Sequence, residues 1–69
     1  MRRHRVTSSA VLSIGYELRS GTLEVEFANG IYRYHEVPEP VYRLLMAAES
    51  KGRFVNLYIK PVYRFTQVD

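Results

Sequence analysis

The stretch Thr22-Leu23-Glu24-Val25-Glu26-Phe27-Ala28-Asn29-Gly30-Ile31-Tyr32-Arg33-Tyr34-His35 decides the fold. Leu23, Val25 and Phe27 alternate with Glu24 and Glu26, which is the period of a half-buried strand. Tyr32 and Tyr34 then share one parity, while Arg33 and His35 take the other. Between the two runs lies Asn29-Gly30, a strong hairpin signal because both residues tolerate the positive φ of a type I′ turn. A two-residue loop there pairs Ala28 with Ile31, Phe27 with Tyr32, Glu26 with Arg33, Val25 with Tyr34 and Glu24 with His35. One face reads Val25, Phe27, Tyr32, Tyr34; the other sets Glu26 against Arg33 and Glu24 near His35. Each cross-strand pair contributes about 0.2–1 kcal/mol, and a one-residue slip loses them together.

Upstream, Leu12, Ile14, Tyr16 and Leu18 alternate with Ser13, Gly15 and Glu17, giving another strand. The loop Arg19-Ser20-Gly21-Thr22 sets Leu18 opposite Leu23, Tyr16 opposite Val25 and Glu17 near Glu24, with Gly21 left-handed. Downstream, Pro38-Glu39-Pro40 ends the hairpin and opens a helix over roughly 39–50. Its apolar stripe is Val41, Leu44, Leu45 and Ala48. Ser50-Lys51-Gly52 closes it, with Lys51 as the last-turn cation and Gly52 as the C-cap glycine. Residues 54–60 read either as a strand or as a short helical turn capped by Asn56, and Pro61 stops both. Arg64 to Val68 reads as a last short strand. The expected fold is α+β: a three- to four-stranded antiparallel meander with one main helix on one face, and room for a second helical turn.

With 69 residues the chain is one domain, and its 46% hydrophobic content, including six Tyr and three Phe, supplies a core. It has no cysteine, so neither a disulfide nor a Cys-rich zinc site is available. No apolar run reaches the roughly 20 residues of a membrane span, and Met1-Arg2-Arg3-His4-Arg5 lacks the apolar stretch of a signal peptide. These features describe a soluble, cytoplasmic monomer without cofactor or metal. The net charge is +3, with Arg2, Arg3 and Arg5 crowded into residues 1–5, which read as a flexible basic tail.

Several short runs together resemble the KTSC domain. They are Ser8-Ser9, Ile14-Gly15-Tyr16, Thr22-Leu23-Glu24-Val25-Glu26-Phe27, Gly30, Tyr32-Arg33-Tyr34 and Val37-Pro38. Ala48, Ser50-Lys51-Gly52, Phe54, Asn56 and Ile59 continue the pattern, so the resemblance runs from about Val6 to Tyr63. That family is named for its place at the C-terminus of some lysyl-tRNA synthetases, and it also forms free-standing small bacterial proteins. It carries no assigned catalytic residues, and its synthetase association suggests RNA binding. Pro61 and Val62 depart from the pattern, standing where more polar residues are expected.

Tyr32 and Tyr34 have the chemistry of a base-stacking platform, yet their parity puts them toward the helix with Phe27 as core residues. Gly52 and Asn56 read as structural residues of the helix junction. His4 and His35 lack catalytic partners, and Ser8 and Ser9 have no base, so an enzyme is not expected. Two binding readings remain. One is RNA or another polyanion held by Arg2, Arg3, Arg5, Arg33, Lys51, Arg53, Lys60 and Arg64. The other is a protein partner docked on an exposed edge or face. A basic stripe on one face favours the first; scattered cations beside an apolar patch favour the second.

Overall fold

Five strands form one antiparallel sheet in chain order: β1 (Arg3–Arg5), β2 (Val11–Glu17), β3 (Thr22–Phe27), β4 (Gly30–Tyr34) and β5 (Phe65–Gln67). The computed structural model describes all residues, Met1–Asp69. Between β4 and β5 run helix α1 (Glu39–Ala47), helix α2 (Lys51–Phe54) and a π-helical segment, Val55–Ile59, that continues α2. The expected meander is present, with helices on one face. No helix is long and apolar enough to cross a membrane.

The strand beyond those expected is β1, formed by residues that read as a loose tail. It pairs Arg3, His4 and Arg5 with Gly15, Ile14 and Ser13 of β2. Side-chain anchoring explains the difference: the Arg3 Nε donates to Ser13 Oγ at 2.9 Å, and its Nη1 donates to Glu24. Gly15 makes the approach feasible, because a Cβ there would stand 2.6 Å from the Arg2 carbonyl oxygen.

Both central hairpins differ from expectation by two residues. In β3–β4, Glu24 faces Arg33, Val25 faces Tyr32 and Phe27 faces Gly30, so the turn is Ala28-Asn29. Neither turn residue has positive φ, which excludes the type I′ turn expected at Asn29-Gly30. In β2–β3, Tyr16 faces Leu23 and Glu17 faces Thr22, with Gly21 left-handed at φ 69° as expected. Glu17 therefore escapes Glu24 and instead accepts from Ser20 Oγ at 2.7 Å. A shift of two keeps every side chain on its own face, so the face assignment survives. Leu12 and Leu18 do not follow it. The β2–β3 register shifts between Val11 and Ser13, which turns Leu12 outward and Val11 inward, while Leu18 lies in the loop.

The core is Val11, Ile14, Leu23, Val25, Tyr34, Val37, Leu45, Val55 and Ile59. Helix α1 starts behind Pro38, whose carbonyl accepts from the Val41 and Tyr42 amides, and has Glu39 in its first turn. It is shorter than expected, ending at Ala47 with Ala48 in an extended cap. Ser50 then begins α2 rather than ending α1: its Oγ accepts from the Arg53 amide at 3.2 Å. Gly52 is accordingly a helical residue, not a C-cap. Residues 54–60 are helical, and the Lys60 amide reaches back to the Val55 carbonyl at 2.8 Å, an i to i+5 bond. That turn sends both Val55 and Ile59 into the core. Asn56 is exposed inside the segment and caps nothing.

Candidate functional site

The eight cations expected to form a polyanion surface are dispersed, and several are already engaged. Glu24, on the outer face of the sheet, is held between two guanidinium groups. Arg33 Nε donates to Oε1 at 2.7 Å, and Arg3 donates to Oε2. Burial by itself raises the Glu24 pKa, but the hydrogen bonds from Arg33 and Arg3 prevail and hold it below the usual carboxylate value. Ser13 extends the network by donating to Glu26 at 2.8 Å. Arg5 lies on the same face beside Glu26, and His35 pairs with Thr66 at 2.8 Å rather than with Glu24.

Lys51 is turned back onto α1. Its Nζ donates to the carbonyls of Met46 at 2.9 Å and Ala48 at 2.5 Å, closing the helix end that Gly52 was expected to cap. Arg64 lies 3.5 Å from Glu36 in an exposed pair, and Lys60 sits over the Phe27 ring at 5.1 Å on the opposite face of the sheet. Arg2, Arg5 and Arg53 are exposed and make no ion pair within the chain. The network on the outer face interleaves arginines with carboxylates, so no uninterrupted basic stripe forms there.

The motif residues also separate. Tyr34 is core, and burial, with a smaller effect from Tyr32, raises its pKa. Tyr32 is only half-buried, packed edge-on to Phe27 at 5.7 Å and against Phe65 at 5.5 Å. Those rings, Tyr34, Asn29 and Lys60 line an open groove of about 350 Å³. Gly52 answers a steric demand, since a Cβ on it would meet the Ala10 Cβ at 2.9 Å. Ser8 shapes the same loop by accepting from the Ala10 and Val11 amides at 3.3 and 3.2 Å.

A second groove, of about 460 Å³, runs between α1 and the π-helical segment. All six lining residues are hydrophobic: Val41, Leu44, Phe54, Tyr58, Val62 and Tyr63. Leu44 was expected on the core stripe, yet it is 61% exposed, because Leu45 alone fills the core from α1 while Val55 and Ile59 occupy the adjoining space. Tyr58 and Val62 are 57% and 64% exposed. Sequence reasoning passed over this surface, although residues 54–63 hold more large apolar side chains than one helix face can bury.

The chain matches the KTSC domain family model over residues 7–63. A protein of Stutzerimonas stutzeri is 42% identical over 71 residues, covering 100% of both chains. A lysine–tRNA ligase of Nostoc punctiforme is 38% identical over 61 residues, which are 87% of this chain but only 11% of the ligase. The crystal structure of a KTSC domain protein from Yersinia pestis superposes with a TM-score of 0.96 at 39% identity, covering 99% of this chain and 97% of that one. Sequence pattern and backbone thus agree across nearly the full length, and this chain belongs to the KTSC domain family.

Proposed function

We propose that the domain is a protein-interaction module that seats an apolar helical segment of a partner protein in the groove between α1 and the π-helical segment. The observation that carries this reading is the exposure of Leu44, Tyr58 and Val62 around an all-apolar groove. Exposed apolar side chains gathered round one groove, unlike those scattered singly, are the kind of surface that marks interaction sites. Walls built from two helical elements suit helix-in-groove docking, in which apolar anchors at helical spacing enter successive recesses. The relatives fit the reading as well. Similar sequence makes up nearly all of one small protein and 11% of a large lysine–tRNA ligase, as expected of a module used alone or appended.

The cation placement supports the RNA reading less. Arg3 and Arg33 are tied to Glu24, and Lys51 to the end of α1. A phosphate-tracking surface needs such groups free and aligned.

Paired substitution Leu44→Glu with Val62→Glu tests the proposal. Both positions are more than 60% exposed, so the fold should persist, as a circular-dichroism melt will verify. Protein partners that co-purify with the unaltered domain should be lost. Arg2→Ala with Arg5→Ala and Arg53→Ala should retain them. The reverse pattern, with partners lost only from the arginine variant, would contradict the groove and favour the basic surface.

A further inference from the structure

We infer that the groove of Phe27, Tyr32, Phe65 and Lys60 is a nucleotide site, taking one base on the exposed Phe65 ring beside Tyr32 and the attached phosphate at the Lys60 ammonium that Phe27 holds. It shares no lining residue with the apolar groove, so the two can be tested separately. The helices cover the middle of the inner sheet face, where Ile14, Leu23 and Val25 are fully buried, but they leave this corner open. Phe65 is 57% exposed on β5, the sheet edge, and Tyr32 and Phe27 are half-covered beside it. Core packing of aromatics does not require an open face. A planar ligand does, because stacking on exposed rings is how proteins hold unpaired bases without reading their sequence.

Charge selects among planar ligands. Lys60 is the only one of the six lining residues with an ionised side chain at neutral pH, and it makes no ion pair within the chain. Its Nζ lies over the Phe27 ring, 5.1 Å from the centroid, so Phe27 holds the cation and leaves the Phe65 and Tyr32 rings of the same groove as the open stacking surface. A ring carrying an anionic group is complementary to that arrangement. Asn29, from the β3–β4 turn, brings an amide that can both donate to and accept from a base edge. The volume of about 350 Å³ sits at the low end for small-ligand pockets, which suits one base and its phosphate rather than a dinucleotide cofactor. The same chemistry is offered by a free nucleotide and by one unpaired unit of a single strand.

The test is a titration of the isotope-labelled domain, followed by amide chemical shifts, with AMP, UMP, adenosine, ribose 5-phosphate, and six-nucleotide poly-A and poly-U RNA. AMP and UMP should move the amides of Phe27, Asn29, Tyr32, Lys60 and Phe65, with dissociation constants of the order of a millimolar. Lys60→Met should weaken AMP about tenfold and adenosine hardly at all. Phe65→Leu, which removes the exposed ring but keeps an apolar side chain, should weaken both. Hexamers binding at least tenfold more tightly than the mononucleotides would assign the site to single strands; equal affinities would assign it to free nucleotides. The inference is overturned if ribose 5-phosphate binds as well as AMP, if Lys60→Met and Phe65→Leu leave affinity unchanged, or if no shift occurs at these residues with any probe.

Discussion

Glu24 and Arg33 stand directly opposite one another on β3 and β4, and the Arg33 Nε lies 2.7 Å from the Glu24 carboxylate, whose other oxygen takes Arg3. One buried anion therefore ties the hairpin to the N-terminal strand. Because its folded-state pKa lies below the unfolded value, its stabilising contribution is complete above about pH 4.5 and fades as pH falls through the lower folded value. Urea denaturation from pH 7 to pH 3 should show that fade in the unaltered chain and not in Glu24→Gln. At pH 7 the variant should be about 1–3 kcal/mol less stable, since two guanidinium groups lose their counter-charge. Equal stabilities at pH 7 would contradict the clamp.

Gly52→Ala should destabilise, even though alanine is favoured over glycine in helices by about 1 kcal/mol. The new methyl would stand 2.9 Å from the Ala10 Cβ, and relieving the clash must move the backbone of the loop. Combining it with Ala10→Gly should restore stability. Thermal melts of the four proteins give the coupling directly, and strictly additive effects would show that the close approach is unimportant.

Lys51→Met should lower stability by about 1 kcal/mol through loss of the bonds to the Met46 and Ala48 carbonyls. It should leave the salt dependence of any RNA binding unchanged. A reduced log–log salt slope would instead place Lys51 on a phosphate-binding surface.

Leu45→Ala should cost about 2–5 kcal/mol and leave so small a domain largely unfolded. Phe27→Ala should cost only about 1–2 kcal/mol, because Phe27 is half-covered at the rim of the aromatic groove. Denaturant titration separates these outcomes. A Phe27 loss matching that of Leu45 would mean that the ring is core after all.

Strand alternation made the faces of the sheet readable in advance, and an even register shift left them intact except at Leu12, beside the irregularity in β2, and Leu18, in the loop. The register itself was not readable. Asn29-Gly30 marks a turn, but Glu24 can meet both Arg33 and Arg3 only in the shifted pairing, and Arg3 belongs to a strand that no alternation announces. The start of helix α1 behind Pro38 was recognisable, but its end at Ala47 was not, since the sequence pattern carried it to about residue 50. Nor was its buried face, since the stripe of Val41, Leu44, Leu45 and Ala48 does not show that Val55 and Ile59 will take the space beside Leu45. The apolar groove was hidden for that reason. A leucine at helical spacing looks the same whether the surface it reaches belongs to its own chain or to another.

Photo-crosslinking in cells tests the docking role of the groove most directly. A photoreactive phenylalanine analogue would be placed singly at Leu44, Tyr58 or Val62 in the groove, or at Leu12 or Arg33 away from it, all of them exposed positions. Irradiation should give discrete protein adducts from Leu44, Tyr58 and Val62, with none from Leu12 or Arg33. Adducts confined to Leu12 and Arg33, or adducts to nucleic acid at the groove positions, would contradict a protein-docking groove between α1 and the π-helical segment.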